Sequence, residues 1–229
     1  GTYLYVSIAL YLLYLSLLRY FKPWISGVSI FLVFASTNLF YYSLGEAEMS
    51  HSYLFFLYSV IIYNTLKWND KKKRKNLVWL SLAMGMCVLI RPTSLLFASL
   101  PVLYLFSTKE NRFWISNNLK TIFSSLLVFF LPIFLQMLFW KTYGSGWVRW
   151  SYRNEGFFFD NPHILEFLFG YRNGWLLYTP IMIFALASVF VLPQKLKSMK
   201  YSIFIILPLA IYILSSWWCW WFGCSFGGT

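Results

Sequence analysis

The basic residues of this chain are shared unevenly between two kinds of loop that alternate between its apolar segments. Fourteen of the 19 lysines and arginines fall in one set of loops, and five fall in the other. Cytoplasmic loops of polytopic membrane proteins keep the excess of Lys and Arg, so the first set is predicted to be cytoplasmic. The fourteen are Arg19, Lys22, Lys67, Lys71, Lys72, Lys73, Arg74, Lys75, Lys109, Arg112, Lys120, Lys195, Lys197 and Lys200.

The second set of loops carries most of the side chains that could take part in chemistry. Five of the seven carboxylates lie there, beside the five remaining cations. We therefore predict that the functional residues lie on the extracytoplasmic face of the membrane. The residues of this set are Arg91, Lys141, Arg149, Arg153, Arg172, Glu46, Glu48, Glu155, Asp160 and Glu166.

Composition excludes an ordinary soluble domain. The 229 residues are 59% hydrophobic and only 11% charged, about half the charged fraction of globular proteins. The net charge of +12 would indicate a nucleic-acid partner in a soluble protein. Because the charge lies in short loops between apolar runs, we expect membrane lipids as partners and no nucleic acid.

Apolar segments of crossing length predict the fold class. A helix that crosses a membrane takes about 20 mostly apolar residues. The chain has about eight apolar segments of roughly this length, which predicts an all-α polytopic transmembrane bundle of about eight spans. We expect a single transmembrane domain over 1–229. Because the chain starts at Gly1 and enters an apolar run at once, we also expect an internal fragment of a longer protein. The predicted spans are 2–18, 24–44, 50–66, 75–91, 92–108, 120–140, 174–192 and 201–216.

Two polar interruptions shape this prediction. The run 75–108 is too long for one crossing, and proline disfavours helix at the residue before it, so we expect a turn at Arg91-Pro92. Residues 141–173 form the large extracytoplasmic loop. Within it, Asn161 as N-cap and Pro162 at the first position predict a short interfacial helix up to Phe169.

The first extracytoplasmic polar loop carries Glu46, Glu48 and His51 within six residues. His51 is a candidate for substrate binding, and it could equally be an interfacial residue. Carboxylates there suit a general base or a metal ion, and they also suit a solvated hairpin tip. Arg91 is costly in an apolar hairpin unless it is paired or snorkels, and its planar fork suits a phosphate ester. The sequence supports no metal site or cofactor, although Glu46 with Glu48 is where a divalent ion would be sought.

The large loop and the last segment offer residues for binding a sugar or a lipid phosphate. Aromatic rings cover sugar faces and polar groups hold hydroxyls, but an amphipathic surface loop has the same composition. Arg149 and Arg153 could join Arg91 in binding a phosphate. Further candidates for substrate binding are Tyr152, Glu155, His163 and Trp220, although the tryptophan could equally anchor the chain in the membrane interface.

Four segments of the chain resemble a known family. GEAEMSHSYLFFL, LSLAMGMCVLIRPTSLL, NPHILEFLFGYRNGWLLYTP and WWCWWFGCSFGGT occur in this order. They resemble membrane-embedded glycosyltransferases of the GT-C type, in particular bacterial relatives of protein O-mannosyltransferases and of the lipid A aminoarabinose transferase. The resemblance covers roughly residues 37–229.

The resemblance implies transfer of a sugar from a polyprenyl-phosphate donor to a lipid, glycan or protein hydroxyl, in a bacterial inner membrane with an extracytoplasmic site. It implies catalytic candidates in Glu46 and Glu48, and a donor-phosphate ligand in Arg91. In the family the leading carboxylate lies in the first outer loop, which we expect in a region preceding this chain. A flippase or transporter and a polymerase for lipid-linked saccharides remain as alternatives.

Overall fold

The computed structural model describes residues 1–46, 49–144, 146–149 and 155–221. The described chain is all-helical and forms no strand, which confirms the all-α part of the predicted fold class. Three short 3₁₀ turns interrupt the helices, at Pro92–Ser94, Val189–Val191 and Gln194–Leu196. The helices are α1 Thr2–Leu17, α2 Pro23–Ala35, α3 Leu39–Leu44, α4 Ser50–Lys71, α5 Arg74–Ile90, α6 Leu95–Ala98, α7 Leu100–Phe106, α8 Lys109–Asn117, α9 Leu119–Tyr143, α10 Ile164–Phe169, α11 Trp175–Tyr178, α12 Ile181–Ser188 and α13 Lys197–Ser215.

The chain divides into two compact units. The first comprises Gly1–Val33 and Tyr41–Arg149, and the second comprises Phe34–Phe40 and Trp150–Thr229. Each has its own packing, and each is described below by itself. The single transmembrane domain expected from the sequence stays a prediction.

Among the described residues of the first unit, the four longest helices each pack against the next. Helix α4 packs against α1 and against α5, and α5 packs against α9. Edge-to-face ring pairs join α1 to α4, with Tyr5 lying 5.2 Å from Tyr53 and 5.3 Å from Phe56. The close contact of α5 with α9 depends on Gly85, where a side chain would meet the Phe129 carbonyl oxygen. Small residues allow such close approach between helices in membranes.

Charged and polar side chains tie the ends of several helices together in the first unit. Arg19, just after α1, forms an ion pair of 2.7 Å with Asp70 near the end of α4. On α8, the buried Asn111 accepts a hydrogen bond from Lys72 and donates one of 3.0 Å to Asn69. Burial lowers the pKa of the Lys72 ammonium below its usual value. The sequence does not predict these contacts, because it places Arg19 and Lys72 only in separate cytoplasmic loops.

The second unit is organised around α13. Residues 155–163 run beside the C-terminal end of this helix, where the Phe158 amide donates to Ser216 O at 2.6 Å and the His163 amide donates to Ser215 O at 3.0 Å. Stacked rings continue the contact, because Phe159 lies 5.9 Å from Tyr212. Helix α10 also packs against α13.

The start of the interfacial helix differs from the prediction. Helix α10 begins at Ile164 with His163 as its N-cap, instead of beginning at Pro162 after Asn161. The backbone of His163 is not helical, with φ of −85° and ψ of 54°, while its amide donates to Ser215 O, so the chain enters the helix only after this residue. The short helix itself exists within the predicted loop.

The described structure does not support eight crossings. Among the described residues, two helical segments are long and apolar enough to cross a membrane: α9, with a mean hydropathy of 2.3, and Gln194–Ser215, with 1.7. Of the other predicted spans, 50–66 lies in the 22-residue α4, which is long enough but not apolar enough, and the rest are short or broken. The run 24–44 is interrupted between α2, which ends at Ala35, and α3, which begins where the Leu39 amide donates to Thr37 Oγ1 at 3.3 Å.

Candidate functional site

Glu46 is fixed by the turn that follows α3. The Gly45 amide donates to Tyr41 O at 2.8 Å, which closes the helix, and the Met49 amide donates to Glu46 O at 3.0 Å. The Tyr41 hydroxyl donates to Glu46 Oε1 at 2.9 Å. A hydrogen bond from a phenol to a carboxylate is charge-assisted, so it orients the carboxylate and leaves Oε2 with its own acceptor capacity.

His51 lies in the first turn of α4, close to the same turn. Its ring stacks on Tyr42, with centroids 4.3 Å apart and an angle of 22° between the planes. The Ser52 hydroxyl donates to Tyr42 O at 3.3 Å, which ties the beginning of α4 to α3. Stacking fixes the plane of the imidazole while its ring nitrogens stay at the edge of the ring.

Arg91 ends α5, as the Arg91-Pro92 pair predicts. Its amide closes the last turn onto Cys87 O at 2.9 Å, its backbone is extended, and a 3₁₀ turn begins at Pro92. The Ser94 amide donates to Arg91 O at 2.9 Å and holds this bend. The side chain is partly buried. Proline disfavours helical backbone at the residue before it, which explains why α5 stops here.

Three of the predicted site residues come together at this point. The charges of Arg91 and of Glu46 both act on the His51 imidazole. Glu46 and His51 lie five residues apart, in the turn after α3 and at the start of α4, whereas Arg91 follows α5 in a separate part of the sequence. We call this group the Glu46–His51–Arg91 cluster. It combines a carboxylate, an imidazole and a guanidinium, which is enough for proton transfer beside an anion-binding group.

Several residues that support this cluster were missed in the sequence. Tyr41 and Tyr42 hold Glu46 and His51, respectively. The Arg91 charge also acts on Tyr58, whose hydroxyl is hydrogen-bonded to the Ser94 side chain. The tyrosine pair just before the Gly45 turn is the signal that could have indicated these contacts. Within long aromatic runs, however, such a pair has nothing to distinguish it.

Of the two other phosphate-binding candidates, only Arg149 lies within the described residues. Arg149 is exposed, and no hydrogen bond or ion pair links it to another described residue. Glu48, Tyr152 and Arg153 lie outside the described residues. Among the residues that are described, no three His, Cys, Asp or Glu side chains group as a metal site would require.

The second unit brings together the other three predicted binding residues. The Trp217 indole donates to Glu155 Oε2 at 3.1 Å, and His163 stacks on Trp220 with centroids 5.7 Å apart. The Trp218 amide donates to Gly156 O at 3.0 Å and keeps the two segments aligned. We call Glu155, His163 and Trp220 the loop cluster.

Burial limits what Trp220 offers to a ligand. Only 8% of Trp220 is exposed, and Trp221 packs edge-on against it at 5.5 Å. Trp218 is 44% exposed and Trp221 is 37% exposed. Beside the loop cluster, Trp218 and Trp221 are therefore more accessible to a ligand than Trp220, which is the tryptophan predicted from the sequence.

None of the protein-family models, curated proteins or solved structures compared with the chain matches it. The resemblance to GT-C glycosyltransferases stays a prediction carried by the four sequence segments. The function therefore has to be argued from the chemistry of the two clusters.

Proposed function

We propose that the chain is part of a membrane glycosyltransferase that moves a sugar from a polyprenyl-phosphate donor to an acceptor hydroxyl at the extracytoplasmic membrane face. One observation carries this proposal: Glu46, held by Tyr41, and His51, stacked on Tyr42, lie where the Arg91 charge also acts on the imidazole, although Arg91 is distant from both in the sequence. Glycosyl transfer from a lipid phosphate needs both kinds of charge, a base for the acceptor and a cation for the leaving phosphate.

The proposed roles follow from the functional groups. Glu46 takes the proton of the acceptor hydroxyl, while the hydrogen bond from Tyr41 holds the carboxylate in place. The acceptor oxygen bonds to the anomeric carbon as the bond from that carbon to the lipid phosphate oxygen breaks. The electron pair leaves with the phosphate, and Arg91 compensates its growing negative charge. Attack from the opposite face inverts the anomeric configuration.

His51 is proposed to contact the substrate within the cluster. Its ring is fixed by Tyr42 and lies under the influence of both an anion and a cation. A neutral imidazole offers one donor and one acceptor, which suits hydrogen bonding to sugar hydroxyls or to a phosphate oxygen. In the second unit, the loop cluster with Trp218 and Trp221 provides aromatic and polar groups suited to carbohydrate, with Glu155 and His163 as hydrogen-bonding groups.

The membrane context of the proposal has its own support. Two mostly exposed apolar segments, α9 and Gln194–Ser215, are long enough to cross a bilayer. The excess of cations in one set of loops favours a cytoplasmic position for those loops. With that orientation, the Glu46 loop and the Arg91 bend face outward. We place the protein in a bacterial inner membrane, as the resemblance implies.

The test uses the full-length protein in nanodiscs with a labelled polyprenyl-phosphate sugar. Sugar transfer and release of the lipid phosphate are followed for wild type, Glu46→Gln and Arg91→Gln. We expect losses of roughly 100-fold or more for Glu46→Gln, as for other general bases, and of similar size for Arg91→Gln. Glu166→Gln and Arg172→Gln are matched controls, because both residues are exposed and lie outside the cluster.

Each result separates the proposal from its alternatives. Control variants with wild-type turnover and cluster variants without it would support the assignment. Turnover that survives both cluster changes would remove these residues from the mechanism. Movement of the intact lipid-linked sugar across the bilayer, without transfer, would favour the flippase or transporter. Formation of sugar chains from lipid-linked units would favour the polymerase.

A further inference from the structure

We infer that the first unit carries a docking surface for anionic phospholipid headgroups, formed where α5, α8 and α9 begin. The basic surface is defined by six exposed cations: Lys73, Arg74, Lys75, Lys109, Arg112 and Lys120. This inference rests on insertion of α9 into a membrane, and it does not depend on sugar transfer.

Backbone geometry gathers these cations from separate parts of the chain. Helix α4 ends at Lys71, Lys72 adopts a left-handed conformation with φ of 48°, and Lys73 caps α5. The reversal therefore takes only two residues and places the basic start of α5 beside the end of α4. Arg74 Nη2 donates to Ser124 Oγ at 3.4 Å, which brings this turn to the second turn of α9.

Helix α8 joins the same region because a single residue, Asn118, connects it to α9. Its inner side is fixed, since Asn111 is buried and Trp114 packs edge-on against Trp68 at 4.9 Å. Its outer side presents Arg112 beside Phe113, which is 72% exposed. A short helix with cations flanking an exposed aromatic ring suits the plane of a membrane interface.

The nearby carboxylates do not neutralise the basic surface. Asp70 forms its ion pair with Arg19 at 2.7 Å. Glu110 lies 3.9 Å from Lys72, which is also held by Asn111 and lies over the Trp68 ring. Among the described residues, neither carboxylate forms an ion pair with any of the six cations. Their positive charge is therefore left for an external anion.

The position of α9 decides which anion is the partner. This helix has 25 residues, so it is about 37 Å long against a hydrocarbon core of about 30 Å. Its exposed residues Leu119 and Phe123, at 65% and 64%, then lie close to the headgroup level. The basic surface surrounds this end of the helix. An anionic membrane satisfies both the cations and the exposed apolar rings, whereas a nucleic acid or an acidic protein would satisfy only the cations.

Retention of defined phospholipids by the purified full chain tests this inference. The protein in neutral detergent is titrated with phosphatidylglycerol or phosphatidylcholine, and bound lipid is measured by native mass spectrometry. We expect wild type to prefer phosphatidylglycerol by at least about tenfold, with the preference reduced by raised salt. The double variant Lys73→Gln/Lys120→Gln removes two cations of the basic surface. Each removal should weaken phosphatidylglycerol binding about fivefold.

The matched control is Lys141→Gln/Arg172→Gln, which removes the same charge from exposed residues outside the basic surface. We expect the control to keep the wild-type preference for phosphatidylglycerol. In the test variant, this preference should fall at least about tenfold. Insertion of each variant is verified by resistance to carbonate extraction. Equal binding of the two lipids by wild type would overturn the inference, as would an equal loss in the control or tighter binding of duplex nucleic acid than of phosphatidylglycerol.

Discussion

Replacement of Gly85 by alanine tests the closest helix contact in the first unit. A Cβ built at this position would lie 2.1 Å from Phe129 O and 3.2 Å from Pro132 Cγ, whereas real Cβ atoms stay beyond 3.0 Å. Helices α5 and α9 would have to separate by about 1 Å, and overpacking of this kind costs roughly 1–3 kcal/mol. Phe129 O is backbone, so no side-chain rotation relieves the clash.

Gly27→Ala on α2 is the matched control, because a Cβ there meets nothing within 4 Å. Both changes gain the same helix propensity, up to about 1 kcal/mol, so their difference isolates the steric cost. A cost of roughly 1–3 kcal/mol corresponds to a melting temperature about 3–10 °C lower for Gly85→Ala than for Gly27→Ala. Thermal unfolding in detergent, followed by intrinsic fluorescence or loss of the monodisperse peak, gives this difference. Equal melting temperatures would refute the close packing of α5 on α9.

The remaining predictions use single contacts. Tyr41→Phe should lower the rate of sugar transfer about tenfold while the melting temperature changes little, because Glu46 loses its charge-assisted hydrogen bond. An unchanged rate would contradict the role of Tyr41 in orienting the Glu46 carboxylate. A double-mutant cycle of Arg19→Gln and Asp70→Asn should give a coupling free energy of about 0.5–1 kcal/mol, since half of the Asp70 side chain is exposed. Urea titration of the four proteins measures this coupling, and a value of zero would show that the ion pair does not contribute to stability. Cys219 should react with iodoacetamide more slowly than a free cysteine at neutral pH, because burial and the Glu155 charge raise the pKa of its thiol. Mass spectrometry follows the alkylation, and a rate equal to that of free cysteine would contradict the burial of this thiol.

The long helices could be predicted from hydropathy, and the broken ones could not. The predicted spans 120–140 and 201–216 correspond to α9 and α13, because few polar residues interrupt them. The predicted span 174–192 is instead divided into α11, α12 and a 3₁₀ turn. Pro180 lies at this break, where it lacks the amide that a continuous helix needs. Apolar composition alone therefore overestimates the number of complete crossings.

The cluster could be predicted in part for a different reason. Glu46, His51 and Arg91 are polar residues in apolar surroundings, so they attract attention in the sequence. Their convergence depends on the packing of α4 against α5 and on the bend at Arg91, which no local pattern encodes. The supporting residues Tyr41 and Tyr42 were missed because the chain contains 17 tyrosines, most with no local signal of a role.

Exposure of the apolar helices is the strongest structural argument for a membrane environment. A core helix of a soluble protein passes the same length and hydropathy criteria, but it is buried by its neighbours. Here only 11% of the most apolar part of α9 is buried, and only 22% of the most apolar part of Gln194–Ser215 is buried. Phe130, Phe134 and Phe139 are each more than half exposed along α9. Exposing apolar surface to water costs roughly 25 cal/mol for each Å². The hydrocarbon chains of a lipid bilayer therefore explain the exposure of these side chains better than water does.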